Sequence, residues 1–184
     1  MSLTETPICN FGEKAKDFNL LSTENKKTSL DNVKGKNGTL IMFICNHCPY
    51  VKAVIKDIVE DTKYLETLGI KSVAIMSNDV KNYPEDSFKN MISFAKLHDF
   101  SFPYLIDETQ KVAKEYGAVC TPDFFGYNKN LELQYRGRIR ELKELKPVRK
   151  GDSELKSAMK LVAESGKGPA SQIPSMGCNI KWFK

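Results

Sequence analysis

The chain has 184 residues, 41% of them hydrophobic, and a formal net charge of +5, enough apolar material for one globular domain, 1–184, with a sizeable core. Acidic and basic residues are interspersed, and no lysine-rich block with interleaved aromatics occurs, which argues against nucleic acid as a partner. No apolar run approaches bilayer length and residues 1–12 lack a basic-then-apolar leader pattern, so the expectation is no membrane association and a cytoplasmic location.

Cys9 lies in a polar leader expected to be mobile, and it is the first of five cysteines. An odd count in a reducing compartment favours reactive or metal-bound thiols over a disulfide framework. Phe18 and Leu20 alternate with polar neighbours, and Thr28 to Leu30 alternate again after Ser22-Thr23-Glu24-Asn25, which predicts a hairpin at the domain edge. The apolar run Thr39 to Ile44 predicts a buried strand. From Pro49 to Leu68 an amphipathic helix carries Val51, Val54, Ile55, Ile58, Thr62, Leu65 and Leu68 on one face, with Gly69 closing it. Ile70 to Met76 is a second buried strand, and a strand–helix–strand unit implies parallel pairing.

Pro84-Glu85-Asp86 opens a further helix with Phe88, Met91, Ile92 and Ala95 as its apolar face. His98 falls at the end of that helix. A short strand follows over Phe102 to Ile106, then a helix capped by Asp107 or Thr109 and ending at Tyr116-Gly117. Phe124 to Tyr127 and Leu131 to Tyr135, joined by Asn128-Lys129-Asn130, predict a hairpin. A last helix covers Asp152 to Ser165 with Leu155, Ala158, Leu161 and Val162 inward and Gly166 after it. The segment 167–184 has no helical period and is expected to be an irregular tail anchored by Trp182 and Phe183.

Chemistry concentrates in Cys45-Asn46-His47-Cys48-Pro49, between the first core strand and the long helix. Two sulfurs at a helix N-terminus sit in the positive end of the helix dipole, which favours thiolate over thiol. His47 adds a donor and a potential positive charge. The reading is a redox dithiol in which Cys45, expected to be the more exposed sulfur, is the attacking thiolate, Cys48 resolves the mixed disulfide and His47 tunes the pair. Proline is tolerated at position 49 because its missing N–H has no partner in a first turn.

The order of elements, with C-x-x-C after the first core strand, resembles the thioredoxin fold, an α/β fold with a central mixed sheet flanked by helices, here with an N-terminal β-hairpin and a C-terminal tail. The Phe18-Asn19-Leu20 hairpin and the insertion around Pro84 resemble the redoxin branch, the alkyl hydroperoxide reductase/thiol-specific antioxidant superfamily. More narrowly, Cys45 to Val51 together with Pro174-Ser175-Met176-Gly177-Cys178-Asn179-Ile180-Lys181-Trp182 resembles a peroxiredoxin-like thioredoxin-family group. Val119-Cys120-Thr121-Pro122-Asp123 resembles the Thr-Pro loop of thioredoxins. That resemblance implies a cis Thr121–Pro122 bond, a Thr121 backbone that pairs with a bound cysteine-containing peptide, and a Cys120 thiol next to the dithiol. A histidine before the second cysteine implies a potential in the upper half of about −270 to −120 mV.

The implied activity is thiol–disulfide exchange with protein or small-molecule disulfides and thiols, with no cofactor. Peroxide is an alternative substrate, although the Pro-x-x-x-Thr/Ser-x-x-Cys pattern of peroxiredoxins is broken, with Ile41 and Cys45 at its first two positions. Arg136, Arg138 and Arg140 read as a solvated basic loop. A zinc or scaffold role would draw on Cys45, Cys48, Cys120 and Cys178, but a second C-x-x-C knuckle is missing. Cys178 is either an additional redox thiol beside the dithiol or a small buried hydrophobe at a distant face or dimer contact, and the oligomeric state stays open. The strand Thr39 to Ile44 offers no carboxylate beneath the dithiol.

Overall fold

The computed structural model describes residues 2–7 and 9–184. In chain order the elements are β1 (Leu3–Glu5), β2 (Asn19–Ser22), β3 (Lys27–Ser29), α1 (Leu30–Val33), β4 (Gly38–Phe43), α2 (Pro49–Thr67), β5 (Ile70–Met76), α3 (Phe88–Leu97), β6 (Tyr104–Ile106), α4 (Lys111–Tyr116), β7 (Cys120–Thr121), β8 (Asp123–Asn128), β9 (Leu133–Tyr135), β10 (Leu142–Lys143), β11 (Lys146–Pro147), α5 (Glu154–Ser165) and β12 (Met176–Asn179). Seven strands form a mixed sheet in the order β3-β2-β6-β5-β4-β8-β9. β4 pairs in parallel with β5 and β5 with β6, whereas β8 runs antiparallel to β4 and β2 antiparallel to β6. This is the mixed α/β sheet of the thioredoxin fold.

β4 is buried at all six positions because both faces of the sheet are covered. Its pleat sends Leu40 and Met42 toward Val51, Val54, Ile58 and Leu65 of α2 and Leu155 of α5. Ile41 and Phe43 go to the other face, against Val73, Ile75, Phe125 and Tyr116. Central position and two-sided burial make β4 a rigid platform, and the chain leaves its end directly into the dithiol. α2 begins at Pro49 with Cys48 as its N-cap and stops at Gly69, whose φ of +79° is the left-handed region that glycine favours.

Several expectations are corrected. The helix opened by Pro84 is broken: Pro84–Asp86 is a single 3-10 turn, and α3 starts at Phe88 with the Ser87 hydroxyl accepting from the Asn90 N–H. The break turns Asp86 inward, and α3 buries Met91 and Phe94 while Ile92 is exposed. At α4 the residue just before the helix is Gln110, whose side chain makes no capping bond; the Asp107 carboxylate accepts from the first-turn Ala113 N–H, as well as from the Ser77 hydroxyl, and the Thr109 hydroxyl accepts from the Lys111 N–H, so both expected residues serve the helix start. In α5, capped by Ser153, Leu155, Ala158 and Val162 are inward as expected, but Met159 is buried and Leu161 exposed, so the apolar face is rotated slightly toward Met159.

The tail expected to be irregular contains β12, and the leader expected to be mobile contains β1. β12 lies between β1 and β7 in a second, three-stranded sheet, antiparallel to both. Ile180 is the buried apolar anchor of the tail, whereas Trp182 and Phe183 are exposed. The arginine loop is not solvated either. Arg136 is buried against Asp123 at 3.1 Å and over the Phe125 ring, Arg138 pairs with Glu154 at 2.9 Å, and Arg140 with Asp57 at 2.8 Å. No helix among the described residues is long and apolar enough to cross a membrane.

Candidate active site

The C-x-x-C segment bridges the end of β4 and the first turn of α2, facing the loop between β7 and β8. The Thr121–Pro122 bond in that loop is cis. The Cys45 Sγ lies 3.5 Å from the Thr121 hydroxyl, and the Cys48 Sγ lies 3.2 Å from the Thr121 carbonyl oxygen. Cys45, Cys48, His47, Thr121 and Pro122 are therefore brought together. The Cys120 Sγ, also buried, turns to the Pro122 carbonyl at 3.6 Å. The thiol that meets the dithiol is Cys178, whose Sγ is 3.0 Å from that of Cys48.

Neither sulfur of the motif is exposed: Cys45 retains 1% of its accessible surface and Cys48 none. Two thiols this close cannot both ionise readily, so one charge is shared between them. The hydrogen bond to Cys48 keeps the proton on Cys45, and burial and the Asp86 charge push in the same direction, so Cys45 is held well above the ordinary thiol range. Cys48 is drawn down to about 5, first by the hydrogen bond from Cys45 and against the cost of burial, with Cys178 and the Val51 N–H assisting. The sequence puts the resting negative charge on Cys45. Here the surroundings push Cys45 up and draw down Cys48, the residue at the helix N-cap, where the dipole also favours a thiolate.

The carboxylate missing from β4 comes from elsewhere. Asp86 is fully buried, and four donors converge on it. The Asn46 N–H (2.8 Å) and the His47 N–H (3.3 Å) reach Oδ1, and the Asn78 amide (2.8 Å) and the His47 ring Nδ1 (2.6 Å) reach Oδ2. Burial opposes its ionisation, but these donors outweigh burial and hold its pKa below the usual carboxylate range. In return, the hydrogen bond to Asp86 raises His47 above its ordinary value, against a smaller desolvation effect. The His47 ring also stacks on Tyr83 at 5.8 Å between centroids. Asn46 is tied down by the Tyr104 hydroxyl at 2.9 Å and by its own donation to the Glu85 carbonyl at 3.1 Å. Both middle residues of the motif are thus fixed by the insertion around Pro84. Nothing in the local pattern distinguishes Asp86 from Glu85, so sequence reasoning passes over it.

A cleft of about 390 Å³ beside His47 is lined by Ser2, Tyr83, Glu85, Asn179 and Lys181. Among the described residues, Cys45, His47 and Asp86 place ligand atoms within 4.8 Å of one another, close enough to hold a metal ion. The Asp86 oxygens already accept four hydrogen bonds, and His47 uses Nδ1 on one of them, so a metal there would have to dismantle the network. The three arginines a peroxide pocket could have drawn on are committed to carboxylates, as described above.

The AhpC/TSA family model matches residues 11–142. A crystal structure of an uncharacterized conserved protein from Geobacillus kaustophilus is 39% identical, covering 100% of this chain and 97% of that one at a TM-score of 0.94. The hypothetical protein SMc02350 of Sinorhizobium meliloti is 33% identical, covering 98% of each chain at a TM-score of 0.90. Thioredoxin-like protein YneN of Bacillus subtilis is 27% identical over 113 residues, 60% of this chain and 61% of that protein, so the match spans about three fifths of this relative. More distant solved structures, 12–21% identical with TM-scores of 0.54–0.66, include a thiol-disulfide oxidoreductase and a peroxidoxin and share the fold alone.

Proposed function

The chain belongs to the AhpC/TSA family, and from that premise we propose that it is a thiol–disulfide oxidoreductase working through the Cys45/Cys48 dithiol. The observation that carries the proposal is the pair of buried sulfurs at the N-terminus of α2, both in contact with Thr121 of the cis Thr121–Pro122 loop. A dithiol that shares one charge needs only the transfer of its shared proton from Cys45 to Cys48 to present an attacking thiolate. Cys45 attacks a substrate disulfide and expels a thiolate, and Cys48 then displaces the substrate from Cys45 and closes the Cys45–Cys48 disulfide. Holding Cys48 low suits a resolving thiol, which must be ionised when the mixed disulfide forms.

Asp86 favours the protonated form of His47 beside the dithiol, and the rigid Asn46 contacts stop the loop from relaxing away from it. Substrates are disulfides and thiols.

The test is turnover of a small disulfide substrate by the wild type and by Cys45→Ser and Cys48→Ser variants. Cys45→Ser should lose roughly a thousandfold or more in rate. Cys48→Ser should accumulate a mixed disulfide on Cys45, located by mass spectrometry. A Cys45→Ser variant that turns over at the wild-type rate would refute the assignment.

A further inference from the structure

β7 offers a strand edge beside the dithiol, the kind of edge that an extended peptide joins by main-chain hydrogen bonds. In this chain the edge is already taken. β12 pairs antiparallel with it, Cys178 opposite Thr121 and Asn179 opposite Cys120. The fit is close: a Cβ on Gly177 would run into the Thr121 carbonyl oxygen, so glycine lets the two backbones approach. Around this contact the segment is pinned. The Ser175 hydroxyl donates to the Pro122 carbonyl at 2.7 Å, the Ile180 N–H to the Val119 carbonyl at 3.0 Å, and the Lys181 N–H to the Asn78 side chain at 2.9 Å. β1 covers its far edge, Leu3 opposite Cys178.

The strand that occupies this edge carries a cysteine, and that cysteine lies on the dithiol, Sγ to Sγ at 3.0 Å from Cys48. We propose that Cys178 is a third redox thiol of the site, presented by β12 as an internal substrate strand, and that it exchanges with the Cys45–Cys48 disulfide to give a Cys48–Cys178 disulfide. The inference rests on the thiol–disulfide reading above.

The step balances within the chain. The Cys178 sulfur attacks the Cys48 sulfur, the Cys48–Cys178 bond forms as the Cys45–Cys48 bond breaks, and the electron pair leaves on Cys45. Cys45 takes up the proton that Cys178 releases, so no outside oxidant or reductant is consumed after the first disulfide is made. In the reduced protein Cys178 is pushed up to about 12, first by burial and then by its hydrogen bond to Cys48 and the Cys48 charge. The last two vanish when Cys48 is in a disulfide, so Cys178 ionises more easily in the state where it must attack. The product staples β12 across the β7 edge and returns Cys45 as a thiol. The closed form then excludes outside disulfides until a reductant cleaves the staple.

Full-length wild type, Cys45→Ser and Cys178→Ser are equilibrated with glutathione redox buffers, quenched by alkylation and mapped by peptide mass spectrometry. In Cys45→Ser, the internal Cys48–Cys178 disulfide should exceed the glutathione adduct on Cys48 by about tenfold, because a docked thiol acts at high effective concentration. Wild type should contain Cys48–Cys178 beside Cys45–Cys48, and Cys178→Ser only Cys45–Cys48. A Cys45→Ser protein that carries glutathione on Cys48 and an alkylated Cys178, with Cys45–Cys48 still forming in wild type, overturns this inference alone. Failure of Cys45–Cys48 to form in both wild type and Cys178→Ser overturns the underlying function instead.

Discussion

Two buried carboxylates flank α2, and they are kept in opposite ways. Asp86, at the helix's N-terminal end, is met by four donors and stays ionised. Asp61, about two thirds of the way along the same helix, faces α5 and, among the described residues, accepts a hydrogen bond only from the Ser153 hydroxyl. Its pKa is pushed up to about 6, by burial first, despite that hydroxyl. Equal burial therefore does not give equal charge. The number of donors decides, and this molecule places its full donor set where the dithiol needs a fixed charge. The helix–helix contact tolerates an acid.

The sharpest way to break that contrast is Asp86→Asn. Losing one partner of a buried ion pair costs roughly 3 kcal/mol or more, read by chemical denaturation at neutral pH. His47 should then titrate lower than in the wild type, because its hydrogen bond to Asp86, the largest cause that raises it, is gone while desolvation remains. An NMR titration in which His47 keeps a raised pKa would show the pairing to be irrelevant. The sign in the wild type follows from the two shifts. Asp86 is held low, so its contribution is present above the unfolded acid's pKa and fades as pH falls through the folded value. His47 is held high, so its contribution is present below its unfolded pKa and is lost as pH rises through the folded value.

Asp61→Asn should act in the opposite sense. The folded pKa exceeds the unfolded one, so the wild type loses stability as pH rises from about 4 to about 6. Removing the charge should stabilise the protein by about 3 kcal/mol at pH 7 and by nothing below about pH 4. A gain that persists unchanged at low pH would point to packing rather than ionisation. Smallest of the three, Ser153→Ala removes both the α5 N-cap and Asp61's one hydroxyl donor. It should cost about 1 kcal/mol, with the cost shrinking in an Asp61→Asn background, since the two residues share a contact.

What the sequence reveals and what it hides divide along chain separation. The β4–dithiol–α2–β5 unit is legible because its strand runs, proline and closing glycine lie within forty residues and each acts locally. The cis Thr121–Pro122 bond is legible through the resemblance of its loop to the Thr-Pro loop of thioredoxins. Asp86 is not, since its partners His47 and Asn46 are about forty positions away, and a Pro-Glu-Asp triplet looks like any helix start. β12 is hidden for another reason. Met-Gly-Cys-Asn has neither β-branched residues nor a usable alternation, and its strand character comes from the β1 and β7 edges on either side of it. The arginine loop misleads because Arg136 is exposed by composition and buried by Asp123, a residue on another strand.

The first turn of α2 contains no acidic side chain. A thiolate on Cys48 supplies the negative charge that an aspartate or glutamate supplies at other helix starts. Forming a disulfide withdraws that charge. By closure of the thermodynamic cycle, whatever free energy the folded chain gives to the thiolate it denies to the disulfide. Thermal resilience of the reduced form and oxidising strength of the oxidised form are then one quantity, measured once along temperature and once along potential.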